Sequence, residues 1–439
     1  MTGSDAIRTR GSKRARAAAV VGTSKPRLWK VLGPGLITGA ADDDPSGIAT
    51  YAQAGTQFGF SLGWTLLLTY PLMVAIQAIC ARIGRTTGGG IAANLRRYYP
   101  NWILQGIVGL LFCANVLNIG ADLGAMAESL RLLIPIPVGF AVLLFGLVTV
   151  SGQVFLKHTR YVSLLKWLTL CLLAYFGTLL AVRVPWPELL RGLVWPRARL
   201  DHEFWTTVVA ILGTTISPYL FFWQAAQEVE DTKSEPLREP LLREPRQAAG
   251  AFARIRVDTL VGMGFSNLVA LAIMVTFAAT LHARGVTDVG TAAQAAEALR
   301  PVAGTWAFAL FAVGVIGTGL LSVPVLAGSA AYALGEARRW PVGLSRPPLQ
   351  ARAFYGAIAA ATLLGASANV VHISPINALV WAAVINGVVA APVMALVMAL
   401  GARADVMGSF RISTRLKVTG WIATAVMAAA SVGLVWSSL

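Results

Sequence analysis

Runs of about twenty apolar residues, separated by short polar connections, recur along most of the chain; this is the length that crosses a bilayer as a helix. Eleven such spans are predicted, near 31–57, 60–81, 102–130, 135–156, 161–182, 205–227, 257–281, 304–334, 353–370, 376–400 and 417–436. Two of them break their own pattern. In the first, Asp42, Asp43, Asp44 and Pro45 stand midway along a stretch that otherwise reads as lipid-embedded helix. A charge at the bilayer centre costs ~2.5–3.5 kcal/mol even on the mildest scale. Pro45 removes a backbone donor and turns Asp44 away from helical geometry. In the sixth span, Pro218 follows Thr214, Thr215, Ile216 and Ser217 at a matching depth. Carbonyls freed by such breaks persist in a membrane only where they line a cavity or hold an ion.

The broken spans occupy corresponding places in two five-span halves, about 27–182 and 203–400, that start from opposite faces. Paired interruptions of this kind point to an inverted-repeat transporter with its binding site between the halves. The expected architecture is an all-α integral membrane protein of 11 transmembrane helices, with helices 1 and 6 discontinuous. Residues 27–400 form the core. Residues 1–26 read as a disordered basic cytoplasmic tail, 232–256 as a cytoplasmic loop, and 401–439 as a connecting loop and a peripheral eleventh helix. The repeated Leu-Arg-Glu-Pro pattern in 232–256 suggests a flexible or regulatory segment.

Composition agrees with the spans. Mean hydropathy is +0.66, and only 13% of residues are charged against about 25% in soluble chains. The net charge of +16 would suggest nucleic acid in a soluble protein, but here the charges alternate with spans. With a cytoplasmic N-terminus, 29 of the 36 Lys and Arg residues fall on the inner side. This asymmetry places the C-terminus outside and makes the lipid bilayer of the cell membrane, not nucleic acid, the partner. The AAAVV run of the tail is too short for a signal peptide. Cys80, Cys113 and Cys171 lie scattered within spans, and His158, His202, His282 and His372 lie near span ends, so neither type builds a deep metal cluster.

The segment GPGLITGAADDDPSGIATYAQAGTQFG resembles the first helix of the Nramp divalent-metal transporters, whose signature is GPG…DPGN…AGSQFGY. The similarity continues at Ala121-Asp122-Leu123, at GTTISPYLFFWQ and at GTGLLSVPVLAGSAAYALGE. It implies a LeuT-like inverted repeat and secondary transport of divalent metal into the cytoplasm, with no enzyme activity, no cofactor and no obligatory protein partner. By this likeness Asp44 matches the family's metal-binding aspartate. Gly47 stands where the family has its asparagine ligand, Ser217 replaces the methionine of its MPHN motif, and Gln224 replaces a histidine. Asn115 and Ala125 stand at acidic positions of the family.

Loss of the thioether removes the soft ligand that favours transition metals. Gly47 and Ser217 would also free volume for an ion that keeps its waters, which is Mg2+ behaviour. The expected ligands are the Asp44 carboxylate, the carbonyls of Ala41, Thr215 and Ile216, and the Ser217 hydroxyl, with Gly47 beside them. In the competing reading Asp42 or Asp43 replaces the lost ligand and proton-coupled Mn2+/Fe2+ transport persists. Asp42 and Asp43 otherwise line the access route or a hydrated vestibule. Asp122, Asn118, Tyr219, Gln224 and Asn386 are candidates for access or support. Asn115, Asn118 and Asp122 make one polar stripe; Thr318, Ser322 and Ser329 make another that reads as close packing. Ser374-Pro375 reads as a helix cap, and Glu228, Glu230 and Asp231 as a solvated helix end.

Three other readings of these residues compete. An organic-solute carrier of the same architecture would use Asp44 for a co-ion or an amine. An intramembrane aspartyl protease would pair Asp44 with Asp122, but lacks the expected Gly-x-Gly-Asp. An ATP-driven pump would need a phosphate loop, and Gly88-Gly89-Gly90 has no Lys-Ser/Thr after it.

Overall fold

The computed structural model describes residues 34–438, apart from most of 157–182 and short stretches within 197–200, 236, 298–303 and 370–373. The basic tail, His158, Cys171, His372 and nearly all of the fifth predicted span lie outside the described residues. The first predicted span is two helices, α1 (Pro34–Asp42) and α2 (Pro45–Phe58). The second is α3 (Gly63–Thr87), followed by a short α4 (Ile91–Tyr98). The third and fourth are α5 (Asn101–Arg131) and α6 (Val138–Phe155). After a short α7 (Trp186–Val194), the sixth span divides into α8 (His202–Thr215) and α9 (Pro218–Ser234). Then come α10 (Ala248–Thr280), α11 (Ala292–Glu297), α12 (Ala307–Arg338), α13 (Arg352–Ala368), α14 (Pro375–Ala402), α15 (Ala404–Met407) and α16 (Thr414–Ser437).

Among the described residues, eight apolar helical stretches are long enough to cross a membrane, the sixth span (His202–Ser234) being taken across its break. The divided first span and the 17-residue α13 fall short of that length, and the fifth span is not described, so the count of eleven is not settled by length alone. Each break follows from local chemistry. Pro45 and Pro218 occupy the first turns of α2 and α9, where a missing N–H is harmless, while Asp44 and Ser217 take the extended backbone of N-cap residues.

Small residues let the broken helices approach the rest of the bundle closely. A methyl group at Gly39 would run into the Gly262 carbonyl of α10, and one at Gly213 into the Ala383 carbonyl and Gly387 of α14. Backbone-to-backbone crossings of this kind replace the hydrophobic driving force that lipid does not supply. Asp258 of α10 accepts hydrogen bonds from Gly35 N (2.8 Å) and Leu36 N (3.2 Å), capping the start of α1.

The face carrying the start of α1 (here the N-face) is held by buried polar contacts between helices. Of the acidic residues near the α9 end, Asp231 is partly exposed but Glu228 does not face water: it is 0% exposed and pairs with Arg254, which also lies 3.6 Å from Asp231. Glu230 is buried too and accepts a bond from the Ser345 hydroxyl at 2.6 Å. The polar connection after α9 is shorter than 232–256, because α9 runs through Ser234 and α10 begins at Ala248. Its Leu241 and Leu242 N–H groups bond the carbonyls of Arg85 and Thr86, and Leu241 is buried. Backbone pairing therefore pins a segment that composition alone makes mobile. Ser374 does cap α14 by position, yet its hydroxyl donates to the Gly290 carbonyl (2.9 Å) instead of to its own helix.

Candidate ion site at the helix breaks

The two breaks meet inside the bundle. Tyr219, in the first turn of α9, donates its hydroxyl to the Ala41 carbonyl at the end of α1 (2.8 Å) and lies 3.4 Å from Asp44 Oδ2. The Thr214 hydroxyl would sit 3.0 Å from a methyl placed on Gly47, so the end of α8 abuts the start of α2. Helices α1 and α8 thus enter from opposite faces and bring their C-terminal ends toward one centre. Each end carries a partial negative charge of roughly half an electron, an arrangement that favours a cation.

Asp44 is 1% exposed and is held by neutral donors. Its Oδ1 accepts from Ser46 Oγ (2.6 Å) and Gly47 N (2.7 Å), and its Oδ2 from Asn118 Nδ2 (3.0 Å). As N-cap of α2, the carboxylate covers the positive end of that helix. Asp122 lies near enough for the Asp44 charge to reach it, and its Oδ2 accepts from Ser322 Oγ (2.9 Å). Asp42 Oδ2 accepts from Ser266 Oγ (3.0 Å). Both Asp43 oxygens, Asp42 Oδ1 and Asp122 Oδ1 are buried without a partner in hydrogen-bond geometry. Among the described residues, no Lys, Arg or His side chain bonds any of these four carboxylates. No group of three or more His, Cys, Asp or Glu residues converges there either.

Two expectations change on inspection. Gly47 frees no room, because the Thr214 hydroxyl and the Asp42 carbonyl (3.1 Å from the added methyl) already fill the space a side chain would take. Its N–H serves Asp44 instead. The Ser217 hydroxyl turns back to the carbonyls of Gly213 (2.7 Å) and Thr214 (2.8 Å), capping α8; the Thr215 and Ile216 carbonyls follow at the break itself. Gln224 accepts from Thr38 Oγ1 (2.5 Å), tying α9 to α1 on the N-face side of Asp44. Asn386 is buried with both amide atoms unpartnered, next to the Gly387 against which α8 packs. Asn115 bridges to the Leu326 carbonyl and the Ser329 hydroxyl, interhelical glue between α5 and α12.

Sequence reasoning missed Ser46, Ser266 and Thr38. Ser46 was legible, since a small polar residue two after an N-cap aspartate commonly bonds it; Ser266 and Thr38 carry no local signal. On the face opposite the N-face, a cavity of about 230 Å3 reaches in to Pro45, lined by Ile48, Ala49, Ala125, Glu128, Phe311 and Leu379 among others. It stops one residue short of Asp44.

Taken together, a lipid-length helical bundle with two opposed broken helices defines an integral membrane protein of the LeuT-like fold. A solved manganese transporter of Eremococcus coleocola superposes with a TM-score of 0.76 at 17% identity, covering 93% of this chain and 87% of that one. The nucleobase-cation-symport-1 transporter Mhp1, in a closed conformation, superposes at 0.56. The chain belongs to the Nramp family, described as natural resistance-associated macrophage protein-like, whose model matches residues 35–437. Similar relatives include the divalent metal cation transporter MntH of Ralstonia nicotianae, 29% identical over 430 residues (94% of this chain, 92% of that protein). The MntH of Deinococcus radiodurans is 28% identical over 447 residues, 97% and 95% of the two chains. These homologues are transporters, not enzymes.

Proposed function

We propose that the chain moves divalent metal cations across the membrane by alternating access, toward a cytoplasm that faces its N-terminal side, with the ion pausing at Asp44. One observation carries the reading: a buried carboxylate, bonded only by neutral groups, sits where two half-helices direct their negative ends. A dication supplies the charge such a site lacks; without it, burying the carboxylate costs several kcal/mol. The carbonyls of Ala41, Thr215 and Ile216 and the lone pairs of Ser217 are the further oxygens at hand. Family membership and the printed activity of the MntH relatives support the same substrate class.

The ion best suited is Mg2+ or another hard, hydrated cation. The groups bonded to Asp44 are hydroxyl, amide and backbone N–H, and Ser217 offers oxygen where the family has sulfur, so nothing there rewards a soft metal. Because Gly47 yields no space, the argument rests on donor softness, and retained waters must lie toward Ser217 and the 230 Å3 cavity. Side-by-side uptake of Mg2+, Mn2+ and Fe2+ into proteoliposomes tests it. Mg2+ flux exceeding the other two is expected; Mn2+ or Fe2+ preference refutes the hard-ion assignment, and absence of flux for all three refutes the transport reading.

A further inference from the structure

A second polar cavity, of about 340 Å3, lies on the N-face and is unconnected with the ion site. Its walls come from the α3–α4 turn (Thr87, Gly88, Gly89), from α4 (Asn94, Arg96, Arg97), from Arg339 at the end of α12, and from Leu242 of the α9–α10 connection. From this geometry we propose that the cavity binds a phosphate group esterified to an anionic lipid of the N-face leaflet. Neither the transported ion nor the family reading enters the argument.

Three guanidiniums line one hollow, and their own partners leave positive charge to spare. Arg96 spends a bond on a neutral acceptor, the Glu336 carbonyl. Arg97 lies over the Tyr98 ring (5.3 Å), and neither Arg97 nor Arg339 has an ion pair among the described residues. Glu336, which accepts from Gly90 N (2.9 Å) and Ala93 N (3.0 Å), lies beside Arg96 and offsets part of its charge, so the charge to spare is that of Arg97 and Arg339. Arg339 is also the one described non-glycine residue with a positive φ (60°), at a helix end where glycine is the unstrained choice. A strained residue held at such a point is a pointer to function.

The aromatic surroundings of the cavity favour a lipid source over a solute. Trp102, in the first turn of α5, is 75% exposed, and Arg403 lies over the Tyr98 and Tyr99 rings at 5.7 Å. Aromatic residues of this kind mark the headgroup level, and basic pockets between spans at that level hold anionic headgroups. The volume is several times the ~30 Å3 share of one water, enough for a phosphate and part of its ester. Gly88, with φ 72°, allows the turn to close on Pro240. A bound headgroup would therefore brace α3, α4, α12 and the α9–α10 connection together.

The test uses the full chain purified in detergent with mixed phosphatidylcholine and phosphatidylglycerol, read by native mass spectrometry. Wild type should retain phosphatidylglycerol in preference to phosphatidylcholine. The paired substitution Arg97→Gln with Arg339→Asn should lower that retention roughly thirtyfold, at about fivefold per arginine near an anionic surface. Asparagine tolerates the left-handed backbone, so the variant keeps its helix end; wild-type lipid preference is the control that needs no variant. A thermal-shift arm with inorganic phosphate separates the sources. Phosphatidylglycerol retention without a phosphate shift supports the lipid, whereas a phosphate shift lost in the variant, with no lipid preference, overturns the lipid and assigns a soluble phosphate. Equal retention by wild type and variant, or no preference and no shift, overturns the site altogether.

Discussion

Replacing Asp44→Asn separates charge from shape at the proposed ion site. Asparagine caps a helix as well as aspartate does, so its carbonyl oxygen keeps the bonds from Ser46 Oγ and Gly47 N. The new amide NH2 would then face the Asn118 amide NH2, now 3.0 Å from Oδ2. Asn118 Oδ1 is buried and unpartnered, so a flip of the Asn118 amide restores a donor–acceptor pair. The fold should survive within about 1 kcal/mol. The ion should not be held as well. Unit charges 4 Å apart interact by about 4 kcal/mol at an effective dielectric of 20, and a dication doubles this. Allowing more than half of that sum for the amide dipole and for lost solvation leaves about 3 kcal/mol, or more than a hundredfold in uptake at subsaturating metal. The assay is initial Mg2+ uptake into proteoliposomes, with thermal unfolding of the same preparation as control. A folded variant that transports within threefold of wild type would refute the placement of the ion at Asp44.

Ser217→Met should raise the Mn2+-to-Mg2+ uptake ratio about tenfold, through the returned soft ligand; it should also cost about 1 kcal/mol of stability, because the Gly213 and Thr214 carbonyls lose their cap. An unchanged ratio in competition uptake counts against the softness argument. Gly39→Ala should destabilise by about 1–3 kcal/mol, since the methyl meets the Gly262 backbone; thermal unfolding in detergent reads it, with Gly106→Ala, where a methyl meets nothing within 4 Å, as the neutral comparison. Asp258→Ala removes the acceptor for Gly35 and Leu36 N–H and should cost about 1–2 kcal/mol, seen as faster amide exchange at the start of α1. If metal moves without protons, internal pH should stay flat during influx; stoichiometric acidification recorded by a trapped dye would instead assign a proton to one of the buried carboxylates Asp42, Asp43 or Asp122.

Apolar length located most of the spans and proline placement their two breaks, although α9 runs on to Ser234 and α10 begins already at Ala248. Both breaks could be located to within a residue because Pro45 and Pro218 can only begin a helix at such points, and membrane burial leaves few other uses for a mid-span aspartate. The prominence of Asp44 followed from the same reasoning. What stayed hidden were partners set by helix crossings: that Ser266 meets Asp42, that Ser322 meets Asp122, and that Thr38 meets Gln224 are facts about residues 186 to 224 positions apart. The expectation of free space at Gly47 failed for the same cause, since the absence of a side chain on one helix says nothing of the hydroxyl brought there by another.

Local chemistry alone, then, determined that this chain spans a membrane, where its two unusual helices break, and that Asp44 stands at the first break. Those properties depend on solvation and on backbone geometry within a few residues. Tertiary structure alone decided that the second break lies against the first, that glycines such as Gly39 and Gly213 set the helix contacts, and that Glu228 is buried against Arg254 instead of facing water. Relative placement of helices is decided by the packing of whole faces, and no short window of sequence contains it.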